Sequence, residues 1–223
     1  MNRKTMAFAA MLVAATMVGV ALLVGSSVPA DLALPIHWGI DGEPDRFSDK
    51  WTALLIPPGL AAGISLLFYF LPSIEPRQEG LRRSQGLYLW GWAALLLMSA
   101  AIELALVALA LGWSVHAAHI IAGGFGATLI LIGNQLGKSR SMYLIGIRTP
   151  WTLASEEVWI RTHRLAGKLM VGGGFVTIGA ALQPLPSGAL ATVMLGVIAV
   201  AAGVPIVYSF LLWRRERSAQ PSE

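Results

Sequence analysis

Three groups of ionisable residues stand out in a chain that is otherwise mostly apolar. The first is Ile145 to Lys168, IGIRTPWTLASEEVWIRTHRLAGK, which gathers Arg148, Glu156, Glu157, Arg161, His163, Arg164 and Lys168 with Trp151 and Trp159. A segment this polar belongs outside hydrocarbon, and its two indole rings suit a membrane–water boundary. His163 near Glu156 would make an acid–base pair; a histidine held only by hydrogen bonds explains it equally well. In the second group His37, Asp41, Glu43 and Asp45 fall among Pro35, Gly39, Gly42 and Pro44. Such a cluster suits a hard cation or a cationic peptide. A turn-rich interfacial loop anchored by Trp38 and Phe47, with its acids simply solvated, accounts for the same residues, because D-x-E-x-D lacks calcium-loop spacing. The third group is Glu103, His116 and His119, predicted to lie in or beside membrane spans. An ionisable residue within a span is costly enough to suggest function. His116 and His119 share a helical face, and Glu103 falls within reach of His119 across a hairpin, so the three could move a proton, hold zinc or form a buried structural set. H-x-x-H without H-E-x-x-H is weak evidence for a metal, and no cofactor is otherwise expected.

The surrounding composition says what must position these groups. Of 223 residues, 56% are hydrophobic and 13% charged, and mean hydropathy is +0.66. Soluble domains carry about a quarter charged residues, so this is an integral membrane protein. A formal charge of +4 then belongs to membrane-flanking segments facing anionic lipid rather than to direct nucleic-acid binding. Zero cysteines exclude disulfides, thiolate metal sites and cysteine nucleophiles. No P-loop and no serine nucleophile motif occurs, which argues against an enzyme.

Six spans are predicted in a single membrane domain covering residues 1–223, of all-α class. The first follows Arg3 and Lys4; its uncharged run is about 20 residues, longer than a typical signal h-region of about 7 to 15, and Val28-Pro29-Ala30 is read as a loop rather than a cleavage site. The second is Trp51 to Leu71, with Pro57-Pro58 expected to bend it. Leu87 to Leu111 and Val115 to Leu136 follow, separated by Gly112-Trp113-Ser114. A shorter fifth span, Leu169 to Leu182, is expected to continue a helix that begins inside the polar segment. The sixth is Ala189 to Trp213, leaving residues 214–223 as a flexible tail.

Six spans put both termini, Glu75 to Gly86 and Gly137 to Lys168 on one side, with every lysine and arginine except Arg46 and Lys50. That side is predicted to be cytoplasmic. The outer loop, 27–50, sets five carboxylates against those two cations. Within the polar segment, Thr149-Pro150 reads as a helix start, with Glu156 and Glu157 early and Arg161, Arg164 and Lys168 late, complementing the helix dipole. Trp151, Val158, Trp159, Thr162, Leu165 and Leu169 supply an apolar side, so an amphipathic helix lying at the inner interface is expected.

Ile145-Gly146-Ile147-Arg148-Thr149-Pro150-Trp151-Thr152-Leu153, then Ser155-Glu156-Glu157-Val158-Trp159 and Thr162-His163-Arg164, resembles the signature of the SdpI family of bacterial membrane proteins. The stretch from Leu34-Pro35 through His37-Trp38, Gly42-Glu43-Pro44-Asp45 and Lys50 is similar to the uncharacterised domain that commonly precedes it. The resemblance implies a multi-pass protein of the bacterial plasma (inner) membrane that confers immunity to a secreted antimicrobial peptide and relays its presence to a cytoplasmic repressor. It places Arg148, Thr149, Pro150, Trp151, Glu156, Trp159, His163 and Arg164 on the cytoplasmic side, and His37, Gly42, Pro44 and Asp45 outside.

The functional expectation is therefore peptide binding at the outer loop, coupled through the helices to residues 145–168. The alternatives are a membrane enzyme or transporter built on Glu103, His116 and His119, with or without zinc, and a purely structural or signalling subunit.

Overall fold

In the computed structural model, which describes residues 2–114 and 116–219, runs of apolar residues form long helices wherever they can satisfy their own backbone in lipid. Arg3–Ser27 (α1) is capped by the Asn2 side chain on the Thr5 N–H. A strand Ala33–Trp38 (β1) and a strand Pro44–Asp49 (β2) lead into Lys50–Ile74 (α2), then Gln78–Arg83 (α3), Gln85–Ala110 (α4) and Ala117–Leu136 (α5). Pro150–Ala154 (α6), Glu156–Ala181 (α7) and Ser187–Ala219 (α8) complete the chain.

Among the described residues five helices, α1, α2, α4, α5 and α8, are long and apolar enough to cross a membrane. α7 falls short of that composition, yet it lies at the same depth because it packs antiparallel along α5. A Cβ added at Gly174 would stand 2.5 Å from the Gly126 carbonyl oxygen, and one at Gly167 would stand 2.6 Å from that of Gly133. These glycines, two turns apart on each helix, let the two backbones touch, as small residues do in membrane interfaces. The helix that begins in the polar segment does continue unbroken through the predicted fifth span, Leu169 to Leu182, but it is not among the five helices long and apolar enough to cross a membrane, so six predicted spans become five with α7 packed beside them.

Three further expectations are corrected. The segment 27–50 is an antiparallel β-hairpin rather than an irregular loop, pairing Ala33 with Asp49 and Pro35 with Phe47, with irregular register near His37. Prolines and charges hide its alternation, but two strands side by side satisfy backbone groups that a loop would leave to water. Helix α2 runs through Pro57, Pro58 and Pro72 to Ile74 instead of stopping at Leu71. The tail after Trp213 continues as helix to Ala219, and the remainder of that predicted tail, 220–223, lies outside the described residues, as does Val115 at the predicted start of the fourth span.

The core is layered along the bundle. Near one end Met6, Phe68, Tyr88, Trp92, Met142 and Trp159 cluster; near the other, Ala21, Leu34, Ala53, Leu54, Leu106 and Val107 do. The bundle therefore has a hairpin end, carrying β1, β2 and the turns after α4 and α7, and a signature end, carrying α3, α6 and the start of α7.

Candidate functional site

At the hairpin end His37 Nδ1 meets Asp45 Oδ1 at 2.6 Å, both half exposed. The Asp41 carboxylate accepts the Glu43 N–H at 3.1 Å, and the Gly39 N–H donates to the Glu43 carbonyl at 2.8 Å, closing the tip. Gly42 has φ +78°, and a Cβ there would stand 2.5 Å from the Ser187 backbone. Only glycine fits this left-handed position against another backbone, so the tip rests on the start of α8. Beneath it opens a mostly apolar groove of about 470 Å³, walled by Trp38, Ile40, Ile121, Leu190, Met194 and Ile198. Asp49 caps α2 by accepting the Trp51 and Thr52 N–H groups, and hydrogen bonding from the Thr52 side chain, then from its backbone N–H, holds the Asp49 carboxyl below its ordinary value. Of the second predicted group, His37 and Asp45 are joined, Asp41 shapes the turn, and the Glu43 side chain is exposed.

The third group is not assembled. Among the described residues no three His, Asp or Glu side chains gather to hold a metal. Glu103 is buried and its Oε1 has no hydrogen-bond partner. His119 instead donates from Nε2 to the Gln183 carbonyl at 3.1 Å, and His116 lies 5.6 Å from it, ring to ring. The reason is angular. α5 packs against the face of α4 that carries Ala94 and Ala101, through the Thr128 hydroxyl on the Ala94 carbonyl and Gly124 against Ala101. Glu103, two residues on from Ala101, points about 200° away at 100° per residue, toward α2.

At the signature end the chain from Ser139 to Ser155 is an ordered loop plus one short helix. Thr149 and Thr152 form a capping box with Pro150 at the first turn, as Thr149-Pro150 predicts, but Ser155 then breaks the helix and caps α7 on the Val158 N–H. The apolar side of the first turns of α7 does not face lipid, as an interfacial helix would require. Val158, Trp159, Thr162 and His163 are fully buried, covered by the loop. Trp159 donates to the Ser139 hydroxyl at 3.1 Å, and the His163 ring stacks on its indole 4.0 Å away. His163 donates from Nδ1 to the Trp159 carbonyl at 2.8 Å and accepts the Ile147 N–H at Nε2 at 2.9 Å. The expected pair with Glu156 is absent; Glu156 faces Arg140 at 3.8 Å and the Ser141 N–H. Burial pulls the His163 imidazole down to about 4, so it is neutral near pH 7 and serves as a two-sided brace.

The remaining signature residues divide between brace and surface. Trp151 packs on Phe210 and Trp213 of α8 and donates to the Ser209 hydroxyl. Arg148 donates to the Tyr143 carbonyl at 2.8 Å, Glu157 pairs with Arg161 at 2.6 Å, and Arg164 is exposed. Sequence reasoning missed the partners that hold the loop. The buried Glu75 carboxylate accepts the N–H groups of Arg77, Tyr143 and Leu144, while Arg77 donates to the Ser141 and Tyr143 hydroxyls and the Leu153 carbonyl. The one signal available was Glu75-Pro76-Arg77, opposite charges across a proline directly after a span. The arrangement combines buried braces with an exposed charged surface.

Two family models match the chain. Residues 138–209 match the SdpI/YfhL protein family, and residues 11–62 match a domain of unknown function, DUF1648. The immunity protein SdpI of Bacillus subtilis (strain 168) is 29% identical over 143 residues, 64% of this chain and 66% of that protein, just under two thirds of its length. No solved structure matches. The first match holds the His163–Ile147 brace and Trp151 with Ser209, and the second runs from α1 through the hairpin into α2; over these segments the chain, a helical membrane protein, is similar to the SdpI/YfhL family and to DUF1648.

Proposed function

We propose that this protein gives its cell resistance to a secreted antimicrobial peptide by binding that peptide at the hairpin end, and that the signature end passes the event to a cytoplasmic regulator. The observation that carries the reading is the likeness to an immunity protein over 143 residues. The hairpin supports it physically: exposed Asp41, Glu43 and Asp45 stand over an apolar groove, which suits a cationic peptide with an apolar face.

The orientation that goes with this reading puts the termini and signature end in the cytoplasm of a bacterial inner membrane. Lysine and arginine concentrate at that end, whereas the hairpin is acidic. Groups of both charges remain exposed at the signature end, Arg161, Arg164 and Glu157 among them, and offer a regulator a surface.

Expression in a peptide-sensitive bacterium tests the proposal. The wild-type chain is expected to protect, and Asp41→Ala with Asp45→Ala to protect less at equal membrane abundance. No protection by the intact chain, or full protection by the double variant, would overturn it.

A further inference from the structure

α4 carries one charged residue, Glu103, and buries it to 4% exposure with Oε1 unpartnered. The helices around it bring no compensating cation. α1 has no charged residue after Lys4 and α2 none after Lys50, while the one titratable side chain of α5, His119, lies beyond the opposite face of α4. Lys50 is the nearest cation along α2, but its ammonium donates to the Val28 carbonyl at 2.8 Å and lies over the Trp51 ring. An isolated carboxylate in this setting costs far too much to persist uncompensated.

What stands level with Glu103 is a set of hydrogen-bond acceptors. The Tyr88 hydroxyl donates to the Phe68 carbonyl and the Trp92 indole to the Ser65 hydroxyl, which fixes α4 antiparallel on α2. Leu106 and Val107 cluster with Ala53 and Leu54 in the same register. Carried along the helices, that register puts Glu103 at the level of Ala53 to Pro58. Pro57 and Pro58 are fully buried and have no N–H, so the carbonyls of Ala53 and Leu54 lack their helical donors. One turn before Glu103 on the same face, buried Ser99 gives its own hydroxyl hydrogen to the Leu95 carbonyl at 3.1 Å, leaving its oxygen an acceptor.

A proton on Glu103 would satisfy one of these oxygens. A carboxylate, two freed carbonyls and a hydroxyl oxygen match instead the hard-oxygen ligand set of a small metal cation, and proline-interrupted helices supply such carbonyls in membrane ion sites. One carboxylate balances one positive charge. We propose that Glu103, Ser99 and the Ala53 and Leu54 carbonyls form a binding site for a monovalent cation of sodium size, between α2 and α4. This site uses none of the hairpin's exposed carboxylates and does not depend on the immunity reading.

The test is thermal unfolding of the full chain in lipid nanodiscs, in sodium chloride against choline chloride at equal ionic strength. Wild type is expected to gain Tm steadily with the logarithm of sodium concentration, since a ligand that binds only the folded state stabilises by mass action. Glu103→Gln, close to isosteric and neutral, is expected to fold and to lose the sodium dependence. Pro57→Ala restores an N–H to the Ala53 carbonyl and is expected to weaken sodium at least about tenfold, as loss of one ligand to a charged group does. A wild-type Tm indifferent to sodium, a sodium response that survives Glu103→Gln, or a response to pH alone that this variant abolishes would each overturn the site.

Discussion

The Glu75 carboxylate holds the Tyr143 backbone N–H with both oxygens, at 3.0 and 3.2 Å, across 68 residues of chain. Through this contact, together with the Leu144 N–H on the same carboxylate, the end of α2 helps fix the loop that roofs Trp159 and His163. Removing the carboxylate leaves the N–H groups of Arg77, Tyr143 and Leu144 without their acceptor. Glu75→Ala is therefore expected to destabilise the fold by about 3 to 5 kcal/mol, the cost of breaking a buried charged network. Thermal unfolding checks the size, and faster proteolysis between Ser139 and Arg148 checks the place.

His163 sets an acid limit on stability. The unfolded imidazole takes up its proton near its ordinary value of 6.5, whereas burial makes the folded one resist until about 4. Between these values the unfolded state binds more protons, so stability rises with pH across that window and is lost as pH falls through it. The expected loss is roughly 3 kcal/mol, at about 1.4 kcal/mol per pH unit. A pH series of unfolding midpoints should show this slope in wild type and a flatter one in His163→Gln, which starts less stable but has nothing to titrate there.

The glycine seam between α5 and α7 predicts a sharp contrast among glycines of one helix. Gly174→Ala sets a methyl against the Gly126 backbone, which cannot yield as a side chain would, and is expected to cost about 1 to 3 kcal/mol. Gly172→Ala and Gly179→Ala meet nothing within 4 Å and should be neutral or slightly stabilising. Equal effects at all three positions would contradict the seam.

Sidedness can be read chemically, because the natural chain has no cysteine. Single cysteines at exposed Asp41 and exposed Arg164 mark the two ends. In intact cells a membrane-impermeant thiol reagent is expected to label Asp41→Cys and to reach Arg164→Cys only after lysis. The reverse pattern would invert the proposed orientation.

The spans were legible because about 20 consecutive apolar residues admit few other fates, and the Thr149-Pro150 helix start was legible because capping is local. The hairpin was hidden by Pro35, Pro44 and its charges, which mimic a loop. The burial of Trp159 and His163 was hidden for a different reason. Their helix does show charge on one side and apolar residues on the other, as at a lipid interface, but here the apolar side is covered by protein. What covers it depends on Glu75 meeting Tyr143, a pairing between distant residues that no local pattern encodes. Glu103 was noticed from its charge alone, while its direction depended on which face of α4 meets α2.

The shortfall of α7 in apolar character bears on how the protein is made. A segment carrying Arg161, Arg164 and Lys168 before a glycine-rich stretch has a weak claim to enter lipid by itself. Its backbone seam with α5 supplies the missing stabilisation, and α5 emerges from the ribosome first. Insertion of the second half is thus expected to be cooperative, with α7 entering lipid only against the backbone of α5.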